Sequence, residues 1–409
     1  MPRQRTTAPT RRIAGVDVAR GLALLGMMGT HILPLTQAGP HGTEATWVAL
    51  LFAGKASAVF AILAGVGLGL LTGGSTPHSA GRAAADRRSV VVRALLITVI
   101  GLGVGSLDAN VAVILVHYGV LFLIATVFLR LRLRALWCWT AGWLLLAPAL
   151  WYLLLPWVQA HVEPATVGAS PGLGDVLRPA TLLADLFVTG YYPVLVWTGF
   201  VLLGLAVGRC RLQLPPVALA LAVGGAALAS GARALSAWLL DTHPAAVRAL
   251  ASITEVNGQP LDAALASGRG LAGIDSTPWW FVISAPHSSA PLDLLHVSGV
   301  ALAVLGSCQL LAMALTALLG GAGEALMWPL SGAGSATLTL YAGHLVALDL
   351  LSTATAGLPR LQLYLWFVVI TLLAGIALKW AGRRGPLEAA VHAVADAAAG
   401  AGARGPRRS

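Results

Sequence analysis

The sequence predicts an all-α fold, a polytopic membrane bundle of about ten transmembrane helices with both termini in the cytoplasm. Hydrophobic residues make up 57% of its 409 residues and charged residues only 10%, whereas soluble domains carry roughly 25% charged residues. Apolar stretches long enough to cross a bilayer as helices recur along the chain. The basic residues between these stretches fall mostly in alternate loops, as the positive-inside rule requires.

The chain divides into a basic cytoplasmic N-terminal tail, 1–12, a transmembrane domain, 13–381, and a cytoplasmic C-terminal tail, 382–409. The predicted spans are 13–36, 46–72, 90–106, 109–129, 135–157, 182–207, 214–241, 291–318, 329–353 and 361–381. The third span is short and forms a hairpin with the fourth through a tight turn. Two long polar loops, about 158–181 and 242–290, face outward. The first apolar run is too long for a cleaved signal peptide, so it is retained as the first helix.

The distribution of basic residues fixes the orientation of this domain. Of the 26 Lys and Arg residues, 19 fall on the side of the two termini and four on the other side, and Arg20, Lys55 and Arg233 lie within spans. The basic side faces the cytoplasm. We therefore expect a multi-pass protein of the cell membrane. The net charge of +10 follows from topology, so nucleic acid is not an expected partner.

Two common catalytic motifs are missing from the sequence. It contains neither an HExxH motif nor a P-loop. Its three cysteines, Cys138, Cys210 and Cys308, lie in or beside apolar segments without a CxxC or Cys/His pair. Neither a disulfide framework nor a metal site is expected.

Seven ionisable residues on six spans lie at similar depths in the outer half of the bilayer: His31, Lys55, His117, Arg233, His296, His344 and Asp349. Each costs roughly 3 kcal/mol in a membrane span unless it is paired or hydrated. Their convergence at one level predicts a polar cavity that opens outward. His41 and His287, in outer loops, are further candidates for this site. The glycines of the second span, such as Gly65 and Gly69, allow another helix to pack closely.

Asp17 and Arg20 lie near the cytoplasmic end of the first span. They are three residues apart, so they can form an ion pair on one helix face. Two interpretations remain open. The pair anchors the helix at the interface, or Arg20 joins Arg11, Arg12 and the basic loop 82–93, which includes Arg87 and Arg88, in an anion-binding cytoplasmic mouth.

Several stretches resemble known families. The pattern RIAGVDVARGLALLGM, a following His, and then FAGKASAVFAILAGVGLGL resemble YeiB-like bacterial membrane proteins and the catalytic domain of heparan-alpha-glucosaminide N-acetyltransferase. Later stretches, LLHVSGVALAVLGSCQLL, PLSGAGSATLTLYAGHL and RRGPLEAAV, resemble the C-terminal half of the YeiB-like group. The resemblance implies a transmembrane acyltransferase. Such an enzyme takes an acyl group from cytoplasmic acetyl-CoA or another acyl-CoA, without a metal, to an extracytoplasmic sugar amine or hydroxyl.

The resemblance also suggests roles for residues. In the heparan enzyme a histidine just after the first span is taken as catalytic, and His41 lies within about a residue of that place. The surrounding HGTEATW keeps the family pattern only in part, so His31 and His41 both stand, and we favour His31 because it shares its depth with Lys55 and His344. A histidine base or nucleophile suits acyl transfer, and a cation suits the oxyanion. The assignments are catalytic His31, His41, Lys55 and His344; substrate-binding His117, Arg233, His287, His296 and Asp349; and CoA-binding Asp17, Arg20, Arg12, Arg87 and Arg88.

A transporter for a small solute or a lipid precursor is the alternative function, with the same outward cavity as its binding site. Many transporters contain inverted repeats, but residues 1–200 and 201–409 show no convincing self-similarity. The expected partners of the acyltransferase are the lipid bilayer and an extracytoplasmic glycan or small-molecule acceptor. Assembly as a homodimer is left open.

Overall fold

The chain folds into an α-helical bundle, as the sequence predicts. A computed structural model describes residues 13–40, 42–107, 111–163 and 170–401. The helices are α1 Ala14–Ile32, α2 Trp47–Phe52, α3 Lys55–Leu71, α4 Ala80–Gly105, α5 Leu115–Ala125, α6 Leu133–His161, α7 Pro179–Ala184, α8 Val194–Gly208, α9 Pro215–Thr242, α10 Pro244–Val256, α11 Leu261–Ser267, α12 Pro291–Leu319, α13 Gly321–Leu326, α14 Trp328–Ser335, α15 Thr337–Leu350, α16 Ser352–Thr355, α17 Arg360–Trp380 and α18 Pro386–Ala401.

Short elements connect these helices. One turn of π-helix, Asp185–Thr189, follows α7, and 3₁₀ segments occupy Leu173–Leu177, Ile274–Ser276 and Pro278–Val282. The strands β1, Thr36–Gly39, and β2, Gly42–Ala45, form an antiparallel hairpin directly after α1, with Thr36 opposite Ala45. The first predicted span, 13–36, therefore ends earlier than expected, because the chain turns into this hairpin.

Among the described residues, six helical segments are long and apolar enough to cross a membrane. They are the continuous pair α2–α3, α4, α6, α9, α12 and α17. The segments Pro179–Thr189 and Val194–Gly208, bent by 56°, make a seventh if they form one span. The remaining predicted spans coincide with shorter or more polar helices: α1, the 11-residue α5, and the pair α14–α15. The structure therefore supports a helical membrane bundle with six or seven candidate spans. It does not confirm the ten spans that the sequence predicts.

One prediction about the basic segments of the chain is wrong. The third span is not short, because α4 has 26 residues and begins at Ala80. Arg82, Arg87, Arg88 and Arg93 therefore lie on a helix and not in a loop. Alanine and arginine favour helix strongly, so the helix extends beyond the apolar stretch. The predicted C-terminal tail, 382–409, contains α18, which packs against α4.

Small residues bring the central helices close together. On α3 and α8, the Cα atoms of Gly65 and Gly204 face each other, as do those of Gly69 and Gly208. A Cβ atom at Gly204 would overlap the carbonyl oxygen of Ile62. The expected close approach to the glycines of the second span is thus confirmed. This contact, together with the packing of α1 against α3, α12 and α14, sets the positions of the site residues.

Candidate functional site

A cavity of about 880 Å³ lies between α1, α3, α4, α5, α15 and α18. Five arginines line it: Arg20, Arg82, Arg93, Arg211 and Arg384. Arg82, Arg211 and Arg384 are exposed at its mouth, whereas Arg20 and Arg93 are half-buried. Two carboxylates, Asp17 and Glu388, also line it, so the arginines are in excess. A concentration of guanidinium groups of this kind favours phosphate binding, because each can form two parallel hydrogen bonds to an anion.

The C-terminal helix α18 forms one wall of this cavity and is fixed by its side chains. The Glu388 carboxylate accepts hydrogen bonds from the backbone N–H groups of Leu338 and Thr339, at 2.6 and 3.2 Å, and from the Thr339 hydroxyl at 2.6 Å. These N–H groups belong to the first turn of α15, where helices have unsatisfied donors. Arg93 on α4 also pairs with Asp396, at 3.4 Å. The wall at the mouth is therefore tied to both α15 and α4.

Asp17 and Arg20 form the ion pair that their spacing predicts. Arg20 Nη1 lies 3.5 Å from Asp17 Oδ1, and Arg20 Nη2 donates to the Leu63 carbonyl at 3.1 Å. The guanidinium passes over Gly67, which has no side chain to obstruct it. Asp17 Oδ2 is buried without a hydrogen-bond partner among the described residues. Both side chains line the cavity, so the pair combines an anchoring contact with a place at the arginine-rich site.

The other residues that we expected to bind CoA are placed differently. Arg87 and Arg88 are exposed and do not line the cavity among the described residues. Arg12 lies outside the residues that the structure describes. Sequence reasoning missed Arg82, Arg93, Arg211 and Arg384 as individual site residues, although it placed all four on the basic side.

Three aromatic rings form the deep end of the cavity. The ring of Phe60 stacks on Tyr118 at a centroid distance of 5.6 Å and lies 6.5 Å from Tyr341. The Tyr118 hydroxyl donates to the Ser57 carbonyl at 3.4 Å, and the Tyr341 hydroxyl accepts from the Ile114 N–H at 3.4 Å. All three rings are buried. We call this layer, Phe60, Tyr118 and Tyr341, the aromatic wall.

Two predicted catalytic histidines meet beyond the aromatic wall. His31 Nδ1 on α1 lies 3.0 Å from His344 Nε2 on α15, although 313 residues separate them in sequence. Their rings are nearly parallel, at 10° and 5.2 Å. The edge of Tyr341 contacts both, at centroid distances of 6.2 Å to His31 and 5.1 Å to His344. One ring of the aromatic wall therefore joins the arginine-lined cavity to the histidine pair. Tyr341 precedes His344 by three residues, a helical spacing that could have identified it.

A second cavity, of about 200 Å³, contains most of the other predicted outer residues. Lys55, Arg233 and His296 line it, together with Asp293 and Ser284, which sequence reasoning did not select. Lys55 Nζ donates to the Leu50 carbonyl at 2.9 Å. The sequence predicted one outward cavity for all of these groups. In the structure, neither His31 nor His344 lines this cavity, so the predicted outer residues form two separate sites.

Two other candidates, His117 and His287, are not among the residues that line either cavity. His117 is buried against Tyr192, with ring centroids 5.5 Å apart. His287 packs on Tyr191 and Tyr192, at 4.2 and 5.7 Å, in the loop before α12. Burial lowers the pKa of His287 to about 3, with further lowering by the positive charges of Arg269 and Lys55, so this histidine is neutral at physiological pH.

The last two predicted site residues, Asp349 and His41, are not among the described residues at either cavity or at the His31–His344 pair. Asp349 on α15 is half-buried and lines neither cavity. His41 lies outside the described residues. His31 therefore has His344 as a partner in the described structure, whereas the choice between His31 and His41 as the catalytic histidine stays a prediction. Among the described residues, no three His, Cys, Asp or Glu side chains cluster as metal ligands would.

Comparison with known families agrees with part of the sequence interpretation. A family model described as heparan-alpha-glucosaminide N-acetyltransferase, catalytic, matches residues 12–240. The match covers more than half of the chain and includes His31, Lys55 and the arginines of α1 and α4. It does not confirm the resemblance to YeiB-like proteins, and it gives no support to a transporter. No curated protein matches the sequence.

Proposed function

Since this chain belongs to the family of the heparan-alpha-glucosaminide N-acetyltransferase catalytic domain, we propose that it is an integral membrane acetyltransferase. It takes the acetyl group of acetyl-CoA at the cytoplasmic face and passes it to an extracytoplasmic acceptor, a sugar amine or hydroxyl. The observation that carries this proposal is the arginine-lined cavity, which ends at the aromatic wall with the His31–His344 pair directly beyond it.

The donor enters with its phosphates at the arginine-rich mouth. Arg82, Arg211 and Arg384 are exposed there, where they can bind the nucleotide phosphates. Arg20 lies deeper along α1, and its ion pair with Asp17 holds the guanidinium in place. The pantetheine arm then follows α3 inward, past apolar lining residues, to the aromatic wall. The thioester consequently lies at the end of the cavity nearest the histidines.

His31 acts as the base. When the His31 Nδ1–H donates to His344 Nε2, the other ring nitrogen of His31 carries a lone pair and can take a proton. It removes the proton of the acceptor amine or hydroxyl as that group attacks the thioester carbonyl. A C–N or C–O bond forms, the C–S bond breaks, and CoA leaves as a thiolate that takes up a proton. His344 is a positioning residue, because it fixes the tautomer of His31.

The topology that this route requires is the one the basic residues indicate. We propose ten spans in the plasma membrane, both termini in the cytoplasm, and the loops at about 158–181 and 242–290 outside. The arginine-rich mouth then faces cytoplasmic CoA. On α1, Asp17 and Arg20 lie toward the cytoplasmic end and His31 toward the outer end. Eleven residues separate Arg20 from His31, which is about 16 Å along a helix.

Proteoliposomes containing the purified protein test this function. Acetyl-CoA labelled in the acetyl group is added to the cytoplasmic face and glucosamine to the opposite face, and both bound label and released CoA thiol are measured. We expect Arg20→Gln to weaken acetyl-CoA binding by about tenfold or more, because a charged hydrogen-bonding group is lost. His31→Gln should retain binding and lose thiol release. Arg130→Gln, which alters an exposed cytoplasmic arginine outside the cavity, is the matched control. Absence of acetyl-CoA binding to the wild-type protein contradicts the proposal.

A further inference from the structure

We infer that the second cavity is a binding site for a small molecule with one anionic group, a carboxylate or a phosphate. It is separate from the arginine-lined cavity and from the His31–His344 pair. Lys55, which lines it, precedes Phe60 of the aromatic wall by five residues on α3. That spacing corresponds to about 7.5 Å along the helix axis, on the side of the wall away from the arginine-rich mouth.

The charges in this cavity leave an unbalanced cation. Lys55 and Arg233 bring two positive charges, and Asp293 brings one carboxylate. Lys55 uses one ammonium proton in its bond to the Leu50 carbonyl, so its remaining donors can serve a ligand. Arg233 is exposed at the edge of this cavity, and its Nη1 approaches the Ser284 carbonyl only at 3.5 Å, so its other N–H donors are available to water or to a ligand. A ligand with one negative charge would complete the charge balance.

Two buried polar atoms that line this cavity lack partners in the described structure. Ser284 is 6% exposed, and its hydroxyl oxygen makes no hydrogen bond. His296 Nδ1 lies 3.0 Å from the Ala229 carbonyl, and a carbonyl only accepts, so this nitrogen carries a proton. The buried Nε2 of the same ring has no partner. Native proteins rarely leave buried polar groups unpaired, and a bound polar ligand would satisfy both. An anion accepts from Ser284, and a ligand hydroxyl or bound water donates to His296.

The backbone beside the cavity is held in an unusual conformation. His287 and Ser289 have positive φ angles of 61° and 59°, which are uncommon for residues other than glycine. The same loop supplies Ser284 and Pro286 to the cavity. Pro286 packs against Gly54, whose own φ is +68°. Residues held in such conformations cluster at ligand sites, where the surrounding structure maintains them.

The size of the cavity fits a small ligand. At about 200 Å³, it exceeds the roughly 30 Å³ that one water occupies in the liquid several-fold. Acetate or inorganic phosphate fits with accompanying water. The same anionic chemistry occurs in soluble metabolites and in phospholipid headgroups, so the two sources must be separated by experiment. Binding here does not require acyl transfer, and it can be measured without acetyl-CoA.

Thermal unfolding of the purified full-length protein tests this site. The protein is placed in phosphatidylcholine nanodiscs and titrated with sodium acetate or sodium phosphate, with sodium chloride at equal ionic strength as the control. We expect one of the two anions to raise the melting temperature in a saturable manner, since a ligand that binds only the folded state stabilises it. In nanodiscs with phosphatidylglycerol, a raised melting temperature without added anion identifies the headgroup as the source.

Variants locate the bound anion. Arg233→Gln should weaken the apparent affinity by about tenfold or more, and Ser284→Ala should weaken it without a change of charge. Arg248→Gln, which alters an exposed arginine on α10, is the matched control and should retain the wild-type affinity. The inference is overturned if neither soluble anion nor phosphatidylglycerol stabilises the protein. It is also overturned if Arg233→Gln and Ser284→Ala both bind like the wild type.

Discussion

Substitution of His344 tests the role of the histidine pair most directly. His344 is 3% exposed, and the hydrogen bond between its Nε2 and His31 Nδ1 measures 3.0 Å. His344→Phe removes the acceptor for the His31 Nδ1–H and keeps an aromatic ring at the site. The His31 ring then loses the contact that sets its tautomer. His344→Gln is the matched variant, because the amide oxygen of glutamine can accept the same proton.

The expected effects follow from what each variant removes. A general base contributes typically 10²–10⁴-fold to a rate, so His31→Gln should reduce kcat by about that factor. A neutral hydrogen bond contributes about 1 kcal/mol, and the wrong tautomer of His31 adds to that loss. We therefore expect His344→Phe to reduce kcat by about 10- to 100-fold. His344→Gln should stay within about tenfold of the wild type.

The assay is the initial rate of CoA thiol release in proteoliposomes, with acetyl-CoA on the cytoplasmic face and glucosamine on the other. The KM for acetyl-CoA should change little in all three variants, because the arginines that we propose bind the donor lie on the other side of the aromatic wall. A His344→Phe protein with the wild-type kcat would refute the positioning role. So would a His344→Gln protein as slow as His344→Phe, if both fold with wild-type melting temperatures.

Three further predictions concern stability. Glu388→Gln should lower the free energy of unfolding by about 1–2 kcal/mol, since the charged cap of α15 is lost; an unchanged melting temperature would contradict that capping role. Gly204→Ala should lower the free energy of unfolding by about 1–3 kcal/mol, because its Cβ overlaps the Ile62 carbonyl. Gly224→Ala, with open space around it, is the control and should keep the wild-type melting temperature. The pKa of His287 is about 3 in the folded protein and 6.5 in the unfolded chain, so its contribution to stability is complete above pH 6.5 and is lost as the pH falls toward 3. From pH 8 to pH 5 the wild type should lose about 2 kcal/mol more than His287→Asn, and equal losses by the two proteins would contradict the lowered pKa.

Most helix positions could be predicted from the sequence, because apolar length is a local property. The two long outer helices α9 and α12 match their predicted bounds within a residue. The start of α4 could not be found from hydropathy, since helix propensity and not apolar character extends it to Ala80. The helix α18 had a signal in the stretch PLEAAVHAVADAAAG, which has proline at its first position and abundant alanine. It was missed because its polar and small residues resemble those of a tail.

The candidate site could be predicted only in part. Residue counting gives the depth of a side chain along the membrane normal, but it does not show which helices are neighbours. Counting residues from the outer end placed His31, Lys55 and His344 at one level. It could not show that α1 and α15 adjoin through His31 and His344 while Lys55 lines a different cavity. That outcome depends on which helices pack together, and close contacts such as those of α1 with α14 at Gly334 and of α3 with α8 at Gly204 set the packing.

The aromatic wall separates the arginine-lined cavity from the His31–His344 pair. A base that activates the acceptor can also activate water to attack the thioester, so a cross-membrane transferase must exclude water from its base until the acceptor is bound. The three buried rings close the deep end of the arginine-lined cavity, and Tyr341 lies against the cavity, His31 and His344 at once. Tyr341 is also held at its hydroxyl by the Ile114 N–H at the start of α5. In the proposed reaction the acetyl carbonyl carbon must reach His31 past this one ring, so we propose that Tyr341 separates donor binding from acceptor chemistry.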